Sequence, residues 1–234
     1  MSDPNIEMLA DVAQALGDLL EELVFVGGCA TGLLVTDPAA SSVRATYDVD
    51  AIVAAVTLQE YHRLGRTLRE RGFSQPLEEG APPFRWMFAG MKLDVMPIDE
   101  KVLGFSNRWY ESALGEALTV RLRAGLDIRL ITAPYFLATK LDAFADRGRG
   151  DYLESHDLED VLSVVDGRPE IVDEIAAAPV SLRNYVADVF ARLTSDAGFL
   201  NALPGLVSDR SSPAVRMPLV LGRLEQIAGL SGKP

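Results

Sequence analysis

The chain has 234 residues, a formal net charge of −12, 48% hydrophobic and 24% charged residues and a mean hydropathy of +0.13, enough for one large domain or two modest ones with an ample core. Its single cysteine, Cys29, excludes an intramolecular disulfide, and with only two histidines beside it a cysteine-based zinc site is excluded as well. The acidic balance works against non-specific attraction to nucleic acid or anionic membrane, no apolar run reaches membrane-spanning length, and the acidic N-terminal stretch lacks the basic start of a secretory signal, so a cytoplasmic location without membrane contact is expected.

The first predicted element is a helix over "NIEMLADVAQALGDLLEEL", apolar at helical spacing and opened by Ser2-Asp3-Pro4. "LVFVGG" reads as a short buried strand broken by Gly27-Gly28, "CATGLLV" as a short helix and "TDPAASSVRA" as a loop. "YDVDAIVAAV" is a second strand, and "TLQEYHRLGRTLRERG" a helix capped by Thr57 and stopped by Gly72. A hairpin is expected in "FRWMFAGMKLDVMP", turning at Ala89-Gly90, with one or two more strands in "ALTVRLRAGLDIRLI". From Thr132 the pattern turns helical, through "TAPYFLATKLDAFADRG", "ESHDLEDVLSVVDG", "SLRNYVADVFARLTSD" and "SSPAVRMPLVLGRLEQIAGL". The expectation is an α+β chain with a mixed α/β domain over 1–131 and a helical domain over 132–234.

Three carboxylates stand out. Residues i and i+2 of a strand share a face about 6.6 Å apart, so Asp48 and Asp50 project together while Val49 faces the core. Asp94, in "KLDVMP", lies on another predicted strand, and pairing of the two strands would gather all three acids at one sheet edge. Oxygen donors of this kind suit Mg²⁺, and two such ions would clamp the attacking and leaving oxygens of a phosphoryl or nucleotidyl displacement. Gly27 and Gly28, between strand and helix, would let the backbone approach a triphosphate at a helix N-terminus, with the Thr31 hydroxyl one turn in. Asp94 would either ligate metal or accept the proton of the attacking hydroxyl.

In their order and context "FVGGCATGLL", "RATYDVDAIV" and "KLDVMP" resemble the nucleotidyltransferase superfamily, marked by a Gly-Gly or Gly-Ser turn, a D-h-D pair (h apolar) and a third carboxylate. The run Arg44-x-Thr46-x-Asp48-x-Asp50 is similar to the AbiEii-type branch, the toxin-like nucleotidyltransferases of bacterial toxin–antitoxin and phage-abortive systems. That branch carries a helical lysine and a downstream D-h-x-D, matched here by Lys140, Asp157 and Asp160. The resemblance spans about residues 22–166. The 19 residues between Gly28 and Asp48 exceed the usual spacing, so "TDPAASSV" is expected to be an inserted loop near the site; "DRGRGDYLESHD" is also longer than the compact form.

The resemblance implies a nucleotidyltransferase-like mixed sheet and transfer of a nucleoside monophosphate from an NTP with Mg²⁺, to an acceptor such as tRNA or protein, and a possible cognate antitoxin. Asp48, Asp50, Asp94 and Lys140 would be catalytic, the three aspartates holding metal. Gly27, Gly28, Thr31, Arg44, Lys140, Asp157 and Asp160 would serve the nucleotide: Lys140 by meeting donor phosphates, Arg44 by contacting phosphate or pairing with the aspartates, and Asp157 and Asp160 by orienting Lys140 or Arg147. Arg121, Arg123, Arg129, Lys140, Arg147 and Arg149 are either a track for a polyanionic acceptor or separate solvated side chains. An aminoglycoside-like small-molecule transferase and a non-catalytic nucleotide-binding relative are the alternatives; the intact Asp48/Asp50/Asp94 set argues against the latter.

Overall fold

The computed structural model describes residues 3–40, 42–147, 151–207 and 213–232, with the backbone alone at 147 and 213–215. The chain divides into two compact units, Met1–Gly32 with Ala45–Thr132, and Leu33–Arg44 with Ala133–Pro234.

The first unit opens with α1 (Pro4–Leu16), whose Asp3 cap accepts from the Asn5 N–H and whose Pro4 sits where a missing N–H is harmless. Its apolar stripe, Leu9, Val12, Ala13 and Leu16, is fully buried. In chain order there follow β1 (Leu23–Val26), α2 (Thr31–Leu34), β2 (Asp48–Val53), α3 (Leu58–Glu70), β3 (Arg85–Phe88), β4 (Met91–Pro97), α4 (Glu100–Leu103), α5 (Tyr110–Gly115), β5 (Leu118–Arg123) and β6 (Leu126–Leu130). The strands form one sheet in the order β3-β4-β2-β1-β6-β5. It is mixed: β1–β2, β3–β4 and β5–β6 run antiparallel, β2–β4 and β1–β6 parallel. A mixed sheet with flanking helices is the α+β class that the sequence predicts.

Local chemistry accounts for these elements. Central β1 is buried at every position, hence its unbroken apolar run. Edge strand β5 instead exposes Arg121 and Arg123, charges that discourage further strand pairing. A reciprocal capping box between Thr57 and Glu60 starts α3, and Gly72, at φ 88°, follows its end. The β3–β4 turn places both Ala89 and Gly90 at positive φ, 48° and 84°, the backbone that a two-residue hairpin with right-twisted arms requires.

The second unit holds α6 (Ala133–Arg147), α7 (His156–Gly167), α8 (Ile171–Ala177), α9 (Val180–Ser195), α10 (Ala197–Leu206) and α11 (Pro213–Ala228). Both α6 and α11 pack on α7, α8 and α9, burying Phe136, Leu137, Val161, Val165, Val186, Phe190, Leu224 and Ile227. Four short helices, α4, α5, α8 and α10, go unmarked in the sequence: the first three are too brief for an apolar period to show, and α10 is interrupted by Pro204.

Leu33–Arg44, which the sequence places in the first domain and which includes the expected inserted loop "TDPAASSV", clusters with these helices. The Thr36 and Asp37 N–H groups both donate to the Gly167 carbonyl, at 2.8 and 2.9 Å. Gly167 is needed there, since a Cβ would stand 2.7 Å from Val35 Cγ1. Arg216 then bridges Asp166 (Nε–Oδ1 2.7 Å) and Asp37 (Nη1–Oδ2 2.8 Å). Among the described residues no helix is long and apolar enough to cross a membrane.

Ala89 gives a first prediction. A left-handed conformation costs an L-residue roughly 1–2 kcal/mol, of which glycine's larger unfolded-state entropy returns a part. Ala89→Gly is therefore expected to stabilise the chain by about 0.5–1 kcal/mol, read as a higher urea midpoint at unchanged slope.

Candidate active site

Register sets four residues in one row across neighbouring strands of the first unit: Val26 opposite Asp50, Asp50 opposite Asp94, and Asp94 opposite Arg85. Asp48 shares the face of Asp50 by its two-residue offset, and Val49 points the other way into the core, fully buried. The three carboxylates singled out in the sequence are therefore on one sheet face.

The glycine elbow lies directly against Asp50. Gly27 leaves β1 at φ 71°, and a Cβ built there would stand 1.9 Å from Asp50 Oδ2 and 2.6 Å from Asp50 Cβ. Only a residue with no side chain lets Asp50 occupy this position. The short helix expected after the elbow is one 3-10 turn, Gly28–Ala30, followed by the four residues of α2. So short a piece carries no useful dipole, and any phosphate seat here rests on the turn's backbone and on Thr31. The Thr31 hydroxyl is buried, with no hydrogen-bond partner among the described residues. Cys29 is buried and its Sγ faces the Val26 carbonyl at 3.6 Å, as a small packed side chain.

Asp48 is positioned by a relay. The buried Asn5 side chain accepts from the Thr46 N–H at 3.0 Å, and the Thr46 hydroxyl donates to Asp48 Oδ1 at 2.9 Å. Arg85 is the residue that sequence reasoning missed. Its guanidinium grips Asp94 with two parallel bonds, Nε–Oδ1 at 2.8 Å and Nη2–Oδ2 at 2.6 Å, and the same Nη2 stands 3.9 Å from Asp48 Oδ2. Hydrogen bonding to Asp94, reinforced by the charges of Asp94, Asp48 and Asp50, moves the guanidinium still further into its protonated range, against the opposing effect of burial. An alternating strand with a lone arginine nine residues before an aspartate, on opposite arms of a two-residue hairpin, was the available signal.

Carboxylates are the hard donors that Mg²⁺ takes, and the fit here is partial. Asp48 and Asp50 share this face as hard donors, and both Asp94 oxygens are held by Arg85. Among the described residues no three His, Cys, Asp or Glu side chains group closely enough to hold a metal ion together.

The remaining residues named from the sequence lie in the second unit and form their own cluster. Asp160, 1% exposed, receives Arg44 through two bonds, Nε–Oδ1 at 2.9 Å and Nη2–Oδ2 at 3.0 Å, and Lys140 Nζ at 2.7 Å. Lys140 also meets Asp157 Oδ1 at 3.1 Å, so both downstream aspartates touch the helical lysine. Arg44, expected on phosphate or on the Asp48/Asp50 pair, is committed to Asp160.

Of the two readings of the basic residues, track or separate side chains, the described ones fit the second, each with a local partner. In the first unit Arg121 forks onto Asp127, Arg123 pairs with Glu7 and Asp11, and Arg129 donates to the Glu21 and Leu114 carbonyls. The Arg147 side chain and Arg149 lie outside the described residues.

No protein-family model matches this chain, and no curated protein does. Among solved structures it is similar to the crystal structure of an antigenic nucleotidyltransferase-like protein from Paracoccidioides brasiliensis, at 20% identity and a TM-score of 0.54, over 96% of this chain and 94% of that one. The fold is nucleotidyltransferase-like.

Gly27→Ala is expected to cost at least about 1–3 kcal/mol in urea unfolding, from backbone strain and from displacement of Asp50. Asp160→Asn leaves two cations around a buried neutral amide and should cost about 3–5 kcal/mol; Asp157→Asn, at the partly exposed end of the same cluster, should cost about 1 kcal/mol or less.

Proposed function

We propose that the chain is a metal-dependent nucleotidyltransferase that moves a nucleoside monophosphate from an NTP to a hydroxyl-bearing acceptor. The observation that carries this is the packing of Asp50 against Gly27, in register with Asp94 and beside Asp48. A backbone with no side chain is thereby held against the Asp50 carboxylate, beside Asp48 on the same sheet face, within a nucleotidyltransferase-like fold. In the reaction the acceptor oxygen forms a bond to the α-phosphorus and loses its proton to solvent or a nearby base. The bond from that phosphorus to the bridging oxygen breaks, and pyrophosphate leaves.

Asp48 and Asp50 would hold Mg²⁺, whose positive charge offsets that of the phosphates as the bond order shifts. The Asn5–Thr46 relay fixes the Asp48 rotamer, and the missing side chain at Gly27 lets the Asp50 carboxylate stand against the backbone of the elbow. The Thr31 hydroxyl, buried without a partner among the described residues, would recover a hydrogen bond on a phosphate oxygen. That is worth about 1–3 kcal/mol for a group otherwise unsatisfied.

For the acceptor we propose tRNA or a protein side chain, and for the cellular role the toxin of a toxin–antitoxin or abortive-infection pair. What supports this finer assignment is the spacing Arg44-x-Thr46-x-Asp48-x-Asp50 followed by Lys140, Asp157 and Asp160.

The test is incubation of the purified chain with each α-labelled NTP and Mg²⁺, separately with bulk tRNA, protein extract and aminoglycosides. Label is expected on tRNA or protein, and a drop of more than about a hundredfold in the Asp48→Ala/Asp50→Ala variant. Label on an aminoglycoside alone would move the assignment to small-molecule transfer. No label on any acceptor, equal in wild type and variant, would overturn it.

A further inference from the structure

A three-carboxylate site of this kind is expected to carry two divalent cations, and one residue on this sheet face stands against that. Arg85 and Asp94 are Cα partners on adjacent antiparallel strands, so neither side chain has to search for the other. The fork uses both Asp94 oxygens, at 2.8 and 2.6 Å, and Asp94 is only 4% exposed. Mg²⁺ sheds water reluctantly and demands close to octahedral oxygen geometry. To recruit Asp94 it would have to strip a bidentate, charge-assisted pair that is shielded from solvent. Position matters as much as strength. Arg85 Nη2 is the atom lying 2.6 Å from Asp94 Oδ2 and 3.9 Å from Asp48 Oδ2, so a guanidinium already stands where a cation would bridge those two carboxylates. Charge agrees: Arg85 and Lys92, the register partner of Asp48 and two residues before Asp94 on the same face of β4, already offset two of the three carboxylates, so a second divalent ion would leave the face strongly positive before any substrate arrived.

We propose that Arg85 replaces one of the two cations, so that this site takes a single divalent ion on Asp48 and Asp50, and Asp94 serves as a positioning residue for Arg85 and not as a metal ligand. This rests on the nucleotidyltransferase assignment but departs from the three-ligand, two-ion arrangement that the sequence implies. Arg85 is permanently charged, and its planar fork keeps one orientation, so the positive charge it contributes is present before any divalent ion or nucleotide binds.

The experiment counts Mn²⁺ bound to the full chain, after removal of divalent ions by chelation, by electron paramagnetic resonance of the free ion during titration. Wild type is expected to bind one Mn²⁺. Asp94→Asn should keep that count, Asp50→Asn should weaken binding at least tenfold, and Arg85→Met should admit a second ion by freeing the Asp94 carboxylate. Two ions on the wild type, reduced to one by Asp94→Asn, would overturn the proposal and leave the nucleotidyltransferase assignment standing. No Mn²⁺ on the wild type would overturn both. Circular dichroism shows whether each variant is folded; where neither the Arg85 nor the Asp94 variant folds, the wild-type count decides between one ion and two.

Discussion

A carboxylate that is 4% exposed must have its charge answered on the spot, because water is not there to do it. For Asp94 the answer is Arg85 on the neighbouring strand, and much of the first unit is arranged so that the two meet. The two-residue turn at Ala89–Gly90 sets the register of β3 on β4, and a slip of one residue would put Arg85 on the opposite face. Parallel pairing of β4 with β2 then brings Asp50 beside Asp94, and antiparallel pairing of β2 with β1 brings Gly27 under Asp50. The site is a row across the sheet, and each member depends on the register of the strand beside it.

What the sequence disclosed followed from periodicity and punctuation. The apolar run of β1, the D-x-D at the head of β2, the hairpin with its small turn residues and the capped helix α3 are each local signals, legible without knowledge of strand order. The shared face of Asp48 and Asp50 follows from pleat geometry alone. Arg85 went unread for the opposite reason: its importance comes from cross-strand register across the hairpin, and an arginine in an alternating edge strand looks like ordinary solvent-facing charge. Asn5 went unnoticed likewise, since its partner Thr46 is far away in sequence.

The second unit solves a related problem with a different result. Helix α7 buries two aspartates, Asp160 and Asp166, and each is answered by an arginine. Arg44 reaches Asp160 from one end of the 33–44 segment, while Arg216 joins Asp166 to Asp37 near the other. That segment is rich in turn formers and, among its described residues, makes no regular element after α2, yet its two ends are tied to a helix interior by charge. Ion pairs of this sort seldom add much net stability over apolar packing, but losing one partner is costly. Their effect is to specify where an otherwise featureless stretch must lie, which turn-forming residues cannot do alone.

Because residues 33–44 belong to the helical unit while the chain on both sides of them belongs to the sheet unit, the order of synthesis and the order of completion differ. A nascent chain emerging through residue 132 already contains every segment of the sheet unit, and can close it. The segment in its middle must wait, its Asp37 and Arg44 unanswered, until α7 and then α11 have left the ribosome. Separate expression of the two halves, cut where the helices begin, would strand that piece on the wrong fragment and leave the helical half without the residues that its buried aspartates and Gly167 are shaped to receive.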